Sequence, residues 1–255
     1  KWISAPLRKL NPILKRQECV EEFTNHKVLR NNIQNELKEI GDLERLISRV
    51  CTGRINPREL ISVKTSLKKI PLIKQLLDNS RSEVLQQINE KLNDLDALVE
   101  LMEISLSDNP PAAISDGGVI RQGFNAELDE IRDISQNAKS WIANFQKTER
   151  EVSGISSLKV NFNKVFGYYI EISNAHKNKI PENYLRKQTL VNGERYITPE
   201  LKAYEDKILN AEDKIIQLET RLFNEIRMKT AAETEAIQQN ANLIAMLDCF
   251  ASLAE

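Results

Sequence analysis

Two long stretches without glycine or proline bracket a segment of opposite character, and that arrangement limits what this chain can fold into. From Phe124 to Val152, and again from Glu200 to Glu255, neither residue type occurs. Long runs without these breakers, with apolar residues three and four apart, form amphipathic helices. In the first run Phe124, Leu128, Ile131, Ala138, Ile142 and Phe145 share a face, with Ile134 and Trp141 alongside. This predicts a helix of about 29 residues, roughly 43 Å at 1.5 Å per residue. In the second run Leu201, Tyr204, Ile208, Ala211, Ile215, Leu218 and Leu222 alternate steps of 3 and 4. A seven-residue repeat of this kind is the signature of a coiled-coil seam. It fades near Glu225, where an Ala-rich stretch suits a different packing partner, although no breaker interrupts the helix there. Two such helices can pair antiparallel, which puts whatever lies between them at their far end.

Residues 155–198 alternate with period two. Leu158, Val160 and Phe162 fall on one side of a first strand, Lys159 and Asn161 on the other. A second strand follows, with Phe166, Tyr168, Ile170 and Ile172 set against Tyr169, Glu171 and Ser173; Asn163, Lys164 and Val165 form the turn between them. The runs KQTLV and ERYIT are joined by Asn192-Gly193, the strongest short hairpin signal. A two-residue turn there sets Val191 opposite Glu194, Leu190 opposite Arg195 and Thr189 opposite Tyr196. Neither face of this hairpin is wholly apolar, so it is expected to lean on the apolar face of the first. Thr198 is a natural N-cap for the following helix, with Pro199 in its first turn and Glu200 at its positive end.

Residues 1–109 read as successive helices with short breaks. Asn11-Pro12 opens one that carries Ile13, Leu14, Cys19, Val20 and Phe23. Leu43, Leu46, Ile47 and Val50 form a helical stripe that Gly53 ends. Asn56 then caps a helix with Pro57 in its first turn and Leu60, Ile61, Leu67 and Ile70 on its face, interrupted at Pro71. Further helices fit 81–92 and 94–106. Residues 107–123 are a turn-rich connection containing Gly118-Val-Ile-Arg-Gln-Gly123. That spacing mimics a phosphate loop, but Phe124 and Asn125 stand where Lys and Ser or Thr are required, so the glycines serve the turn.

Charge separates these regions. The whole chain carries a formal charge of −1, yet Lys159, Lys164, Lys177, Lys179, Arg186, Lys187 and Arg195 outnumber Glu171, Glu182 and Glu194, a local balance of +4 for 155–198. A small basic sheet held out on helical arms suits a polyanion, because Lys and Arg gain by releasing phosphate counterions; an ordinary solvated sheet is the alternative. Cys19, Cys51 and Cys249 are odd in number and far apart, so they read as buried thiols in a reducing compartment. His26 and His176 lack metal-site spacing. With no phosphate loop, metal cluster or nucleophile–base pair, an enzyme is disfavoured. No apolar run approaches the roughly 20 residues of a membrane span. The opening KWISAPL lacks Met, which points to a piece of a longer protein.

The segments GYYIEIS and NYLRKQTLVNGERYITPELKAYEDKIL closely resemble the MutS family of bacterial DNA mismatch-recognition proteins, as do KWISAPL, RQECVEEF, IGDLERLISRVCTGRINPREL and SDGGVIRQGFNAELDEIRDI. The likeness runs in order through the whole chain. It implies a mainly α fold: a multi-helical core over 1–123, an outgoing lever helix over 124–154, a small antiparallel β clamp over 155–198, and a returning lever helix and core over 199–255. It further implies double-stranded DNA as partner, gripped by its phosphate backbone without sequence readout. The candidate contacts are Asn174, His176, Lys177, Lys179, Arg186, Lys187, Gln188, Thr189, Asn192 and Arg195. Val191 departs from the basic residue that relatives often carry, which removes a phosphate contact there. Tyr168 and Tyr169 either stack on nucleotides or pack within the sheet. The likeness places a mismatch-probing Phe-x-Glu motif upstream and an ATPase with ATP and Mg downstream, and this chain matches neither. It also implies a homodimeric parent, downstream mismatch-repair partners, no membrane, and a cytoplasmic, nucleoid-associated location. A coiled-coil scaffold arm whose β tip binds a protein is the competing reading.

Overall fold

A computed structural model describes residues 2, 6–163 and 167–255; the side chains of 134, 136, 138, 139 and 209 also lie outside the described set. Lys164, Val165 and Phe166, assigned above to a turn and strand, and Ile134 and Ala138, assigned to a helix face, therefore lie outside the described residues. The fold is mainly α with one small antiparallel sheet inserted. Its contacts divide it into two compact units, residues 1–124 with 219–255, and residues 125–218.

The first unit holds α1 (Leu10–Asn25), α2 (Lys27–Lys38), α3 (Leu43–Cys51), α4 (Pro57–Leu67), α5 (Ile70–Leu77), α6 (Glu83–Lys91) and α7 (Asp96–Ser105). The stripe Leu43, Leu46, Ile47 and Val50 is buried on α3 as its spacing dictates. Asn56 and Glu59 form a reciprocal capping box at the start of α4: the Glu59 amide donates to Asn56 Oδ1 at 2.9 Å, and the Asn56 amide to Glu59 Oε2 at 3.1 Å. Against α1, α2, α3 and α6 packs α10 (Thr234–Leu253), which buries Ile237, Ala241, Ile244, Leu247 and Phe250. Its one fully buried polar side chain, Asn240, exchanges two 2.8 Å hydrogen bonds with the backbone of Asn93. Polar burial is tolerated there because both amide groups are satisfied.

The second unit holds α8 (Ala126–Ser153) and a sheet of β1 (Lys159–Asn163), β2 (Gly167–Ser173), β3 (Leu185–Thr189) and β4 (Gly193–Ile197), with a 3-10 turn at Asn174–Lys179. The long helix α9 (Pro199–Ala232) begins in this unit and ends in the first. Its stripe is buried at Leu201, Ile208, Ala211, Leu218 and Leu222. Near the sheet α8 and α9 meet at an aromatic stack: the Trp141 ring centroid lies 5.0 Å from that of Phe145 and 3.6 Å from that of Tyr204.

Three readings are corrected. The helical run after Pro199 is not continuous: it breaks at Glu233 (φ −92°, ψ 18°), where Thr230 and Thr234 hydroxyls on either side donate to the carbonyls of Ile226 and Ala231 and loosen the regular ladder. Cys51 is exposed, because it ends α3; its Sγ lies 3.2 Å from Thr234 Oγ1. The second hairpin does not lean face-on against the first. It joins edge to edge, giving one sheet in the order β1-β2-β4-β3.

Candidate nucleic-acid interface

Register decides which side chains meet, because residues directly opposite each other in an antiparallel pair share a face. Val160, Ile170, Tyr196 and Arg186 form one row across the sheet, and Lys159, Glu171, Arg195 and Gln188 form the next row on the opposite face. Ile172, Glu194 and Thr189 return to the first face. That face is largely apolar: Val160, Ile170, Ile172 and Tyr196 pack with Tyr184 and with Phe145 and Leu201 of the two helices.

The expected register of the second hairpin is wrong by two residues. Thr189 pairs with Glu194, not Tyr196, and Val191 and Asn192 form the loop tip, closed by the Leu190 amide on the Gly193 carbonyl at 2.8 Å. Gly193 is not in the left-handed region that a two-residue Asn-Gly turn requires. Its lack of a side chain serves a close approach instead: a Cβ there would lie 2.5 Å from the Ile172 carbonyl oxygen. Asn174 fixes the same loop, donating its amide to the Asn192 carbonyl at 3.2 Å and its Nδ2 to the Val191 carbonyl at 2.9 Å. A bulge at Lys187 also interrupts the β3·β4 pairing.

These facts separate the ten candidate side chains. Lys177 and Arg186 converge on Glu194 at 3.0 and 3.7 Å. Gln188 and Arg195 lie on the other face, where Arg195 donates to Gln188 Oε1 at 2.9 Å, sits 3.5 Å from Glu171, and covers the Tyr169 ring at 4.3 Å. Tyr169 is thereby buried within the sheet's polar face, and the alternation alone gave no sign of it. Lys179, Lys187, Thr189 and Asn192 are exposed, Asn174 is exposed but bonded to the loop, and His176 is half-buried. Val191, at the loop tip, is 92% exposed. Glu194 escaped the sequence reading as a site residue. The Tyr196 hydroxyl donates to it, and that bond first, then Lys177 and Arg186, hold its carboxyl below the usual range. Burial, then the bond to Glu194, pushes the Tyr196 hydroxyl up to about 12.

Both helices hold the sheet through its backbone. From α8, Gln146 Oε1 accepts the Val160 amide at 2.8 Å, Arg150 Nε donates to the Leu158 carbonyl at 2.7 Å, and Glu149 accepts the Tyr184 hydroxyl at 2.5 Å. At the start of α9 the Thr198 hydroxyl accepts the Leu201 amide at 3.1 Å, the cap expected from the sequence. Glu205, 3% exposed, accepts the Tyr168 amide at 2.6 Å and pairs with Lys202 at 2.5 Å. Gly167 makes room for this carboxylate: its φ is +73°, and a Cβ would lie 2.2 Å from Glu205 Oε2. Gly167→Ala should therefore lower stability by about 1–3 kcal/mol through strain and a displaced buried carboxylate. A thermal melt unchanged from the parent would refute that.

Among the described residues no group of three His, Cys, Asp or Glu could hold a metal, and no helix is long and apolar enough to cross a membrane. The family model for MutS domain III matches residues 1–254. Curated proteins named "DNA mismatch repair protein MutS" align over the whole chain. That of Salinibacter ruber is 49% identical over 28% of its own length. Those of Parabacteroides distasonis and Methanosarcina acetivorans are 46% and 44% identical, each over 29%. The chain thus spans under a third of the length of these relatives.

Proposed function

We propose that this chain, which belongs to the MutS domain III family, is a non-catalytic DNA-gripping and force-transmitting portion of a mismatch repair protein. The observation that carries the reading is the exposed edge of the sheet. Strand β3 has one free edge and presents exposed Arg186 and Lys187; Arg186 shares Glu194 with Lys177 of the preceding turn, which also carries exposed Lys179. Cations on an exposed edge suit contact with a backbone phosphate, which positions a protein on DNA without reading sequence. Thr189 and Asn192 add exposed polar groups nearby. Arg195 and Gln188 act mainly within the sheet, bracing β3 and β4 over Tyr169.

The helices supply the second half of the function. Glu205 of α9, held by Lys202, and Gln146, Glu149 and Arg150 of α8 fix both helices to the sheet and its flanking residues. Motion of either helix is then motion of the grip. In the parent protein the opposite end of this linkage is an ATPase that holds ATP and Mg outside this chain. The parent works as a homodimer with other repair proteins in the cytoplasm, at the nucleoid.

Salt dependence tests the grip. Affinity of the full-length protein for duplex DNA should fall linearly on a log–log plot against salt. Arg186→Ala and Lys187→Ala should each flatten that slope by about one. A slope indifferent to both substitutions would favour a β tip that binds a protein, a reading for which Val191, exposed at the loop tip, offers an apolar contact.

A further inference from the structure

Glu194 is out of place for a phosphate-binding surface: it is a carboxylate on the inner strand β4, among the groups a polyanion would meet. Its partners come from three places. The Tyr196 hydroxyl, two residues further along β4, donates to Oε2. Lys177 Nζ reaches Oε1 at 3.0 Å from the 3-10 turn, and Arg186 Nη1 reaches the same oxygen at 3.7 Å from β3. The carboxylate side chain is 8% exposed, whereas the Lys177 and Arg186 side chains are 46% and 63% exposed. One buried negative charge thus lies beneath two cations that face solvent, leaving a net positive charge outward. Since both cations touch one oxygen, they stand close enough for a single phosphate group to reach both. Thr189, directly opposite Glu194, is exposed on the same face.

We infer, building on the DNA-gripping reading above, that Glu194 is a positioning residue that holds Lys177 and Arg186 together as a preorganised two-cation seat for one backbone phosphate. Glu194 itself does not contact the phosphate. Lys and Arg have the greatest rotamer freedom of any side chains, and ordering them before DNA arrives removes a cost that binding would otherwise carry. Tyr196 keeps the carboxylate oriented by occupying its other oxygen.

Simple electrostatics predicts the opposite sign, which makes the idea testable. A carboxylate near a phosphate repels it, so deleting the charge without any loss of positioning would tighten binding. The Glu194→Gln variant keeps the size and can still accept from Tyr196. The measurement is fluorescence anisotropy of a labelled duplex with the full-length protein, across a salt series, with thermal melts alongside. Glu194→Gln should weaken binding by roughly fivefold, the scale of one lost preorganised charge contact. The same substitution should have no effect when Lys177 and Arg186 are already alanine, since then nothing remains to position. Unchanged or tighter binding by Glu194→Gln overturns the proposal. So does an equal loss in the double-alanine background, which would mark Glu194 as a purely structural residue. If the Lys177→Ala, Arg186→Ala protein binds DNA like the parent, the gripping reading fails at these residues and this inference with it. If that protein binds weakly but Glu194→Gln does not, this inference alone falls.

Discussion

Ile208→Pro should break α9 and uncouple DNA binding from nucleotide state in the full-length protein. Ile208 is 4% exposed and lies near the start of a helix running from Pro199 to Ala232. Proline there removes the amide that bonds to the carbonyl four residues earlier, and its ring collides with that carbonyl, at about 3 kcal/mol or more. The lost isoleucine packing adds to this. The effect is also local. The remaining piece, 199–207, is too short to hold as a helix by itself. Yet it carries Leu201 and Glu205, which pack on and bond to the sheet, and Tyr204, which stacks on Trp141 of α8. DNA affinity measured with and without ATP should lose its nucleotide dependence, while the ATPase itself stays active. A variant that melts early but keeps normal nucleotide-dependent binding would eliminate the rigid-lever idea.

Gly193→Ala is the second large effect. The new Cβ would sit 2.5 Å from the Ile172 carbonyl oxygen, and backbone cannot step aside as a side chain tip can. β4 must shift away from β2 where Gly193 faces Ser173 and Glu194 faces Ile172. We expect a loss of about 1–3 kcal/mol, typical of overpacking. Because Glu194 rides on the same strand, DNA affinity should fall with it. Asn192→Ala is the matched control: its backbone carbonyl, not its side chain, accepts the Asn174 amide, so sheet stability should hold. Equal stability of Gly193→Ala and the parent, read by thermal melting and by amide exchange along β4, would contradict the close-approach account.

The helices were legible because their signals are local. The α3 stripe, the Asn56 cap and the Thr198 cap each involve residues within one or two turns of each other. The break at Glu233 was missed because it rests on paired threonine hydroxyls rather than on glycine or proline. In the sheet the strands were legible and their partners were not. Asn192-Gly193 signals a tight hairpin in any sequence, but here the glycine answers to Ile172, which is distant in the chain. Tyr169 sits on the polar side of the alternation and is buried all the same, under Arg195 from another strand. The basic character of residues 155–198 could be counted. That two of those cations share one buried carboxylate could not.

By itself, then, the sequence determined a mainly α chain, two long amphipathic helices, a small basic β insertion between them, and membership of a family. These follow from side-chain periodicity, breaker residues and net charge, which act over one or two turns of chain. Only the tertiary structure decided the strand order, the role of Gly193, the division of the basic residues between two faces, and the place of Glu194 beneath Lys177 and Arg186. Those depend on which distant backbone atoms lie within about 3 Å of each other. A hydrogen bond, ion pair or close contact between strands costs chain entropy that no local pattern records, so the sequence alone does not say which pairing is made.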